Sequence, residues 1–372
     1  MPSGAMRAKA EQLLGLAGVA INGDRPWDIR VHDERLFARV MAEGSLGMGE
    51  AYMDGWWDAA QMDAFIARVM RAELDTKVQP WREALGVVWA KLVNLQRPSR
   101  AFQIGQHHYD IGNDLFTRML DKRMIYSCGY WKEAATLDQA QEAKLDLVCR
   151  KLGLTPGMRV LDIGCGLGGT AAFAAERCGV SVVGITVSEE QVTLAQEVCR
   201  GLPVEIRLQD YRDLDGMFDR VLSIGMFEHV GQKNYDTFMR VVRSHLAEDG
   251  LFLLHTIGSN RSVTSVDPWL ERYIFPNAML PSVRQIGAAT EGMFVIEDWH
   301  SFGPDYDTTL MQWHRNVEAR WSELKDRYDE RFHRMWTYFL LSVAGGFRAR
   351  KNQLWQIVLS PHGVAGGYRA PR

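Results

Sequence analysis

Cysteine is sparse in this chain. Its 372 residues hold five, at positions 128, 149, 165, 178 and 199, and no two of them make a C-x-x-C pair. That argues against a zinc site, and the odd, scattered set reads as reduced thiols of a cytoplasmic protein rather than a disulfide framework. Long apolar runs are missing too. No stretch reaches about 18 uncharged apolar residues, and the longest candidate, Thr337 to Phe347, is too short to span a bilayer. Met1 to Leu14 mixes Arg7, Lys9 and Glu11 with small residues and offers no apolar core for a signal peptide. Charge of one sign is also lacking. The 43 basic and 46 acidic residues leave a net −3, without the global basic excess of a nucleic-acid binder. What remains, 47% hydrophobic and 24% charged, is the balance of a soluble globular protein, and the length suggests two or three domains.

The first 92 residues read as a small helical domain. Apolar residues recur at helical spacing in Glu11 to Ala17, Leu36 to Met41 and Met62 to Val78, with Gly44 to Gly49 and Trp56-Trp57 as punctuation between them. Residues 93–106 read as a linker. Between Val78 and Gly105 the bases Arg82, Lys91, Arg97 and Arg100 face Glu83 alone. This is either a solvated connection or an electrostatic contact with anionic phospholipid, each base near such a surface contributing about 1 kcal/mol.

From Met158 the pattern changes to strands alternating with helices. Arg159 to Ile163, Val180 to Ile185, Val204 to Leu208, Arg220 to Ile224 and Leu251 to His255 read as strands. Helix-length segments such as Glu189 to Cys199 and Asn234 to Leu246 lie between them. The alternation predicts a doubly wound, mostly parallel α/β sheet over residues 107–372, with ligands at the C-terminal strand ends.

Gly164, Gly166 and Gly169, after the first strand, satisfy G-x-G-x-x-G. Alone this is a weak dinucleotide signal. A dinucleotide site also wants an acidic residue at the end of the second strand, where this chain has Thr186. Instead Asp162 precedes the glycines. The Asp-x-Gly-x-Gly form is that of S-adenosylmethionine (AdoMet) methyltransferases, with a dinucleotide loop or a structural turn as the other readings. Thr186 to Gln191 follows the second strand, towards a ribose. Gln209-Asp210-Tyr211 follows the third, where adenine is commonly met, although Tyr211 alone is as easily a packing residue.

Five further stretches are His108 to Asp114, Tyr126 to Trp131, Gly225 to Gly231, Leu254 to Gly258 and Asp305 to Thr309. In this order they resemble the cyclopropane-fatty-acyl-phospholipid synthases, the bacterial phospholipid branch of the cyclopropane and mycolic acid synthase family. The resemblance runs from about Ile21 to Gln356, and Ala20 to Gly23 with Leu46 to Glu50 match an N-terminal domain that the mycolic acid enzymes lack. It implies the class I methyltransferase fold, with a seven-stranded sheet. It also implies an activity: a methylene unit passes from AdoMet to a cis double bond of a phospholipid acyl chain. The alkene attacks the methyl group, a carbocation forms, and a bound bicarbonate ion takes a proton as the ring closes.

By the same resemblance Glu228, His255 and Tyr306 hold the bicarbonate through their side chains, with Cys128 and the backbone of Ile257 completing the cradle. A carboxylate accepts the anion's O–H, while imidazole and phenol donate to its oxygens. Tyr130, Trp131, Phe227 and Tyr273 are candidates to shield the cation, which water would quench. Taken one at a time the residues have plainer readings: Glu228 as a helix cap, His255 as a structural histidine, Cys128 and Tyr306 as packing. For the methyl donor the resemblance assigns Tyr109, Tyr126, Ser127, Asp162, Gly164, Gly166, Gly168, Thr186, Val187, Gln191, Tyr211 and Ile224, beside Asp210.

Two positions depart from the family. Leu167 stands where a tryptophan is usual, removing an aromatic wall. Val343 stands where many relatives carry a cysteine, which excludes covalent cysteine catalysis there. The resemblance further implies a homodimer working from the cytoplasm on the inner membrane face. Alternatives are a methyltransferase leaving a methyl branch, a small-molecule N-methyltransferase, and an inactive lipid-binding protein.

Overall fold

The computed structural model describes residues 3–74 and 112–372. The expected linker 93–106, its bases and Tyr109 lie outside the described residues. The described chain forms two compact units. A helical unit joins residues 3–74 to Ser265–Pro276 and Tyr306–Asn352, and a sheet unit joins residues 112–264 to Asn277–Asp305 and Gln353–Arg372. The N-terminal helices thus share their unit with two later segments of the chain.

In the helical unit the three apolar runs fall on helices Ser3–Leu16, Arg35–Met53 and Met62–Arg71; the third helix ends before the expected Val78, and residues 75–78 of that run lie outside the described residues. The glycine stretch 44–49 interrupts the helix as expected: Gly44 leaves helical geometry, at φ 59° and ψ −131°, and joins two helical segments across a kink. Gly49 is present for closeness: a Cβ on it would lie 2.4 Å from Cδ1 of buried Trp269. The helix Glu330–Arg348 packs along Met62–Arg71. Its small-residue stretch permits this, since a Cβ on Gly345 would meet the Asp63 carbonyl oxygen at 2.8 Å.

The sheet unit carries seven strands: β1 (Arg159–Ile163), β2 (Ser181–Thr186), β3 (Val204–Leu208), β4 (Phe218–Ile224), β5 (Leu246–Ser259), β6 (Val295–Ser301) and β7 (Asn352–Ser360). Their order is β3-β2-β1-β4-β5-β7-β6. The pairs β2–β3, β1–β2, β1–β4 and β4–β5 are parallel, and β6–β7 is antiparallel. Side chains alternate between two buried faces. Leu161, Ile163, Phe252 and Leu254 enter one apolar layer, and Val160, Leu222, Leu253 and Val358 the other. A sheet covered on both sides needs such nearly continuous apolar strands. Polar caps set the helix starts: Thr136 accepts from the Gln139 amide ahead of Leu137–Leu152, and Ser188 accepts from the Gln191 amide ahead of Glu189–Val198. The strand order reverses at β1 and β4, which opens a crevice at their C-terminal ends.

Candidate active site

The glycine loop leaves β1 at that reversal. Gly164, Gly166 and Gly168 all have positive φ, at 84°, 54° and 82°, a conformation that side chains disfavour. The Gly164 and Cys165 amides both donate to the Ile185 carbonyl at 3.0 Å, tying the loop to β2. Gly164 also lies against the turn after β4, where a Cβ would meet Met226 Cβ at 2.6 Å. Around Gly166 nothing lies within 4 Å of that position, so its backbone stays open to a ligand. Asp162 is buried beneath, with no hydrogen-bond partner for Oδ2. Burial pushes its carboxyl up to about 7, against the pull of the Lys144 charge. Leu167 is buried.

At the end of β2, Thr186 Oγ1 donates to Gln191 Oε1, and the Ser188 amide donates to Thr186 Oγ1 at 3.3 Å. Val187 between them is half-buried. After β3, Asp210 is engaged by Arg212, through Nε at 2.8 Å and Nη2 at 2.7 Å. The Tyr211 ring packs edge-on against Phe238, 5.2 Å between centroids, and belongs to the apolar layer.

The buried acid comes from the turn after β4 and the buried base from within β5, which runs on to Ser259 instead of ending at His255. Ile224 closes β4 directly opposite His255 on β5, and the Gly225 amide donates to the His255 carbonyl at 3.0 Å. The chain then turns through Phe227–His229, which carries Glu228 back towards β5. Glu228 Oε1 accepts from the Ile257 amide at 2.6 Å. The Ile257 N–H therefore orients the acid. Glu228 Oε2 and His255 Nε2 are both buried without a partner. Burial pushes Glu228 up to about 7. Burial, with the charges of Lys144 and Lys151, holds His255 well below the usual histidine range and so neutral.

Tyr126, Ser127 and Cys128 precede the helix Leu137–Leu152, which holds their loop from below. Lys144 Nζ donates to Ser127 Oγ at 3.0 Å, and Gln141 Nε2 donates to the Ser127 carbonyl at 2.7 Å. Both Lys144 and Gln141 are fully buried. Desolvation lowers Lys144 to about 8, with Asp121, Cys128 and Asp162 opposing. Cys128 is fully buried and its Sγ donates to the Gly129 carbonyl at 3.1 Å. The Tyr126 ring meets Phe116 edge-on at 5.1 Å. Phe302 lies between the rings of His255, at 5.9 Å, and Tyr130, at 5.4 Å.

The sheet unit brings Glu228 to Ile257 and sets His255 beside the end of β4, and the same unit contains Cys128 and the donor-loop residues. Tyr306 and Tyr273 belong to the helical unit. There Tyr306 packs on Phe347 at 4.8 Å, and the Tyr273 hydroxyl donates to Glu50 Oε1 at 2.8 Å. Of the aromatic candidates, Phe227 stacks on Tyr235 at 4.2 Å inside the core, and the Trp131 amide donates to Asp305 at 2.7 Å. The motifs did not indicate Gln141, Lys144 or Gln356. Their signal is a polar residue on an otherwise apolar stripe or strand.

Residues 96–357 match the family described as mycolic acid cyclopropane synthetase. Over 364 residues the chain is 56% identical to the cyclopropane-fatty-acyl-phospholipid synthase of Escherichia coli (strain K12), covering 98% of this chain and 95% of that one. It is 33% identical over 285 residues to cyclopropane mycolic acid synthase 2 of Mycobacterium leprae (strain TN), covering 68% of this chain and 92% of that protein. Among solved structures, the cyclopropane synthase MmaA2 from Mycobacterium tuberculosis aligns with a TM-score of 0.66 at 30% identity, over 72% of this chain and 99% of that one. Mycolic acid cyclopropane synthase CmaA1, solved with SAH and CTAB, aligns at 0.64 and 32% identity, over 69% and 97%.

Proposed function

The chain belongs to the mycolic acid cyclopropane synthetase family, in its phospholipid-acting branch, and from that premise we propose how its residues close the ring. The enzyme transfers a methylene unit from AdoMet to the double bond of unsaturated phospholipid acyl chains, forming a cyclopropane. We assign the bicarbonate cradle to Cys128, Glu228, His255, Ile257 and Tyr306, the last on the family resemblance alone. The observation that carries the assignment is the pair of buried, unpartnered atoms on the β4–β5 side of the crevice, Glu228 Oε2 in the turn after β4 and His255 Nε2 on β5.

That pair fits the anion. An acid poised near neutrality shares a proton with an anion instead of opposing it as a fixed charge. A neutral imidazole contributes an N–H to an oxygen. Bound there, bicarbonate supplies the base for the proton lost at ring closure. The protein does the rest: Ile257 N–H holds Glu228 in place, and Lys144 and Gln141 hold the Ser127–Cys128 loop. Burial of Cys128, Glu228 and His255 keeps water from the carbocation. The open backbone at Gly166 and the unpartnered Asp162 Oδ2 support a methyl-donor site along the β1 loop.

Glu228→Gln tests the cradle. The variant is expected to keep its AdoMet affinity by calorimetry and to lose about 10²- to 10⁴-fold in turnover, the usual contribution of a positioned base. Added bicarbonate should restore part of it. Wild-type turnover in carbonate-depleted buffer would show Glu228 to be structural. We further propose a homodimer and docking on anionic membrane surfaces. The docking reading is supported in the helical unit by a surface cavity of about 470 Å³ lined by Leu16, Trp27, Arg68 and Arg71.

A further inference from the structure

A neutral imidazole donates from one nitrogen and accepts at the other. The identity of the donor therefore decides whether His255 Nε2 attracts or repels an anion. The other nitrogen, Nδ1, has a partner. It lies 3.3 Å from Nε2 of the Gln356 side-chain amide, and both residues are buried. Gln356 stands on β7, the strand next to β5 in the sheet. An amide nitrogen can only donate. With the amide nitrogen on that side, Nδ1 accepts, and the single ring hydrogen belongs on Nε2. Turned the other way, the amide would bring its oxygen to Nδ1, draw the hydrogen there and leave Nε2 a bare lone pair.

We propose that Gln356 is a positioning residue that fixes the Nε2–H tautomer of His255, converting its unpartnered nitrogen into a hydrogen-bond donor for the anion. The proposal deepens the bicarbonate reading and rests on it for its functional part. The tautomer itself does not depend on that reading. A leucine or valine would continue the apolar pattern of β7 at this position and would leave Nδ1 without a partner.

The test labels histidine with ¹⁵N and assigns the His255 signals by their loss in His255→Asn. Two-bond ¹H–¹⁵N correlation then reads the ring directly. In the wild type Nε2 is expected to be protonated and Nδ1 bare. Gln356→Glu, whose carboxylate accepts, is expected to move the hydrogen to Nδ1 or add a second proton. Its kcat should fall about 10- to 100-fold, as for other partners that orient a histidine, with AdoMet affinity unchanged. Gln356→Met, similar in volume, should lose the tautomer preference. A wild-type ring protonated at Nδ1, or a ring indifferent to Gln356→Glu, overturns the proposal, and the wild-type reading needs no variant to fold. Neither lipid nor bicarbonate enters this readout. A shifted tautomer with undiminished turnover would support the positioning and count against the anion reading.

Discussion

At the scale of single residues, the site is a set of groups held away from their ordinary protonation. The unfolded chain releases the Glu228 proton near 4.5, and the folded chain holds it to about 7. Between those values the folded state binds more protons, so stability falls as pH rises and the loss is complete above the folded value. Glutamine carries no such proton. Glu228→Gln should therefore gain on the wild type by about 3 kcal/mol between pH 4 and pH 8, read from urea unfolding at both. Parallel pH profiles would show that the buried carboxyl does not govern this window. Gly166→Val addresses the donor loop. Its φ of 54° strains a branched residue, and the side chain would enter the open space beside the backbone. The expected result is a folded protein without measurable AdoMet binding by calorimetry, and unchanged affinity would remove the loop assignment. Glu228 and His255 were legible because they sit in contiguous stretches that carry the resemblance. Gln356 was not, because its meaning lies in a neighbour 101 positions away that only the sheet brings close.

At the scale of elements, the strands were readable because burial on both faces demands uninterrupted apolar runs. β1 and β3 have the expected ends, and β5 extends beyond its apolar centre, from Leu246 to Ser259. The helix Leu137–Leu152 held a signal that periodicity alone passes over: Gln141 and Lys144 lie on its buried stripe beside Ala140, Leu145 and Val148. Among the glycines from 44 to 49, Gly44 makes the break that punctuation implies, while Gly47 and Gly49 serve close packing. The pairing of β5 with β7 shows the same use. A Cβ on Gly258 would lie 2.0 Å from Cζ3 of buried Trp355. Gly258→Ala should cost on the order of 1–3 kcal/mol through overpacking, seen as a lower denaturation midpoint. Adding Trp355→Leu should recover part of it, and additive losses would refute the steric cause.

At the scale of the whole molecule, the enzyme must meet a substrate that lies in a bilayer. Among the described residues no helix is long and apolar enough to cross a membrane. If exposed arginines of the helical unit mediate docking, sedimentation with anionic vesicles should weaken steadily with salt, because such contacts are screened over about 10 Å at 0.1 M. Binding indifferent to salt and to lipid charge would leave an apolar surface as the sole attachment. The sheet order has a consequence for biosynthesis. β7 is the last strand in the sequence, yet it lies between β5 and β6. Until residues 352–360 emerge from the ribosome, β5 has no neighbour on the side away from β4. An unpaired edge is a template for intermolecular pairing. A nascent chain stalled before Asn352 would thus present an open, apolar β5 edge beside His255, and truncated products should be recovered with chaperones or in aggregates.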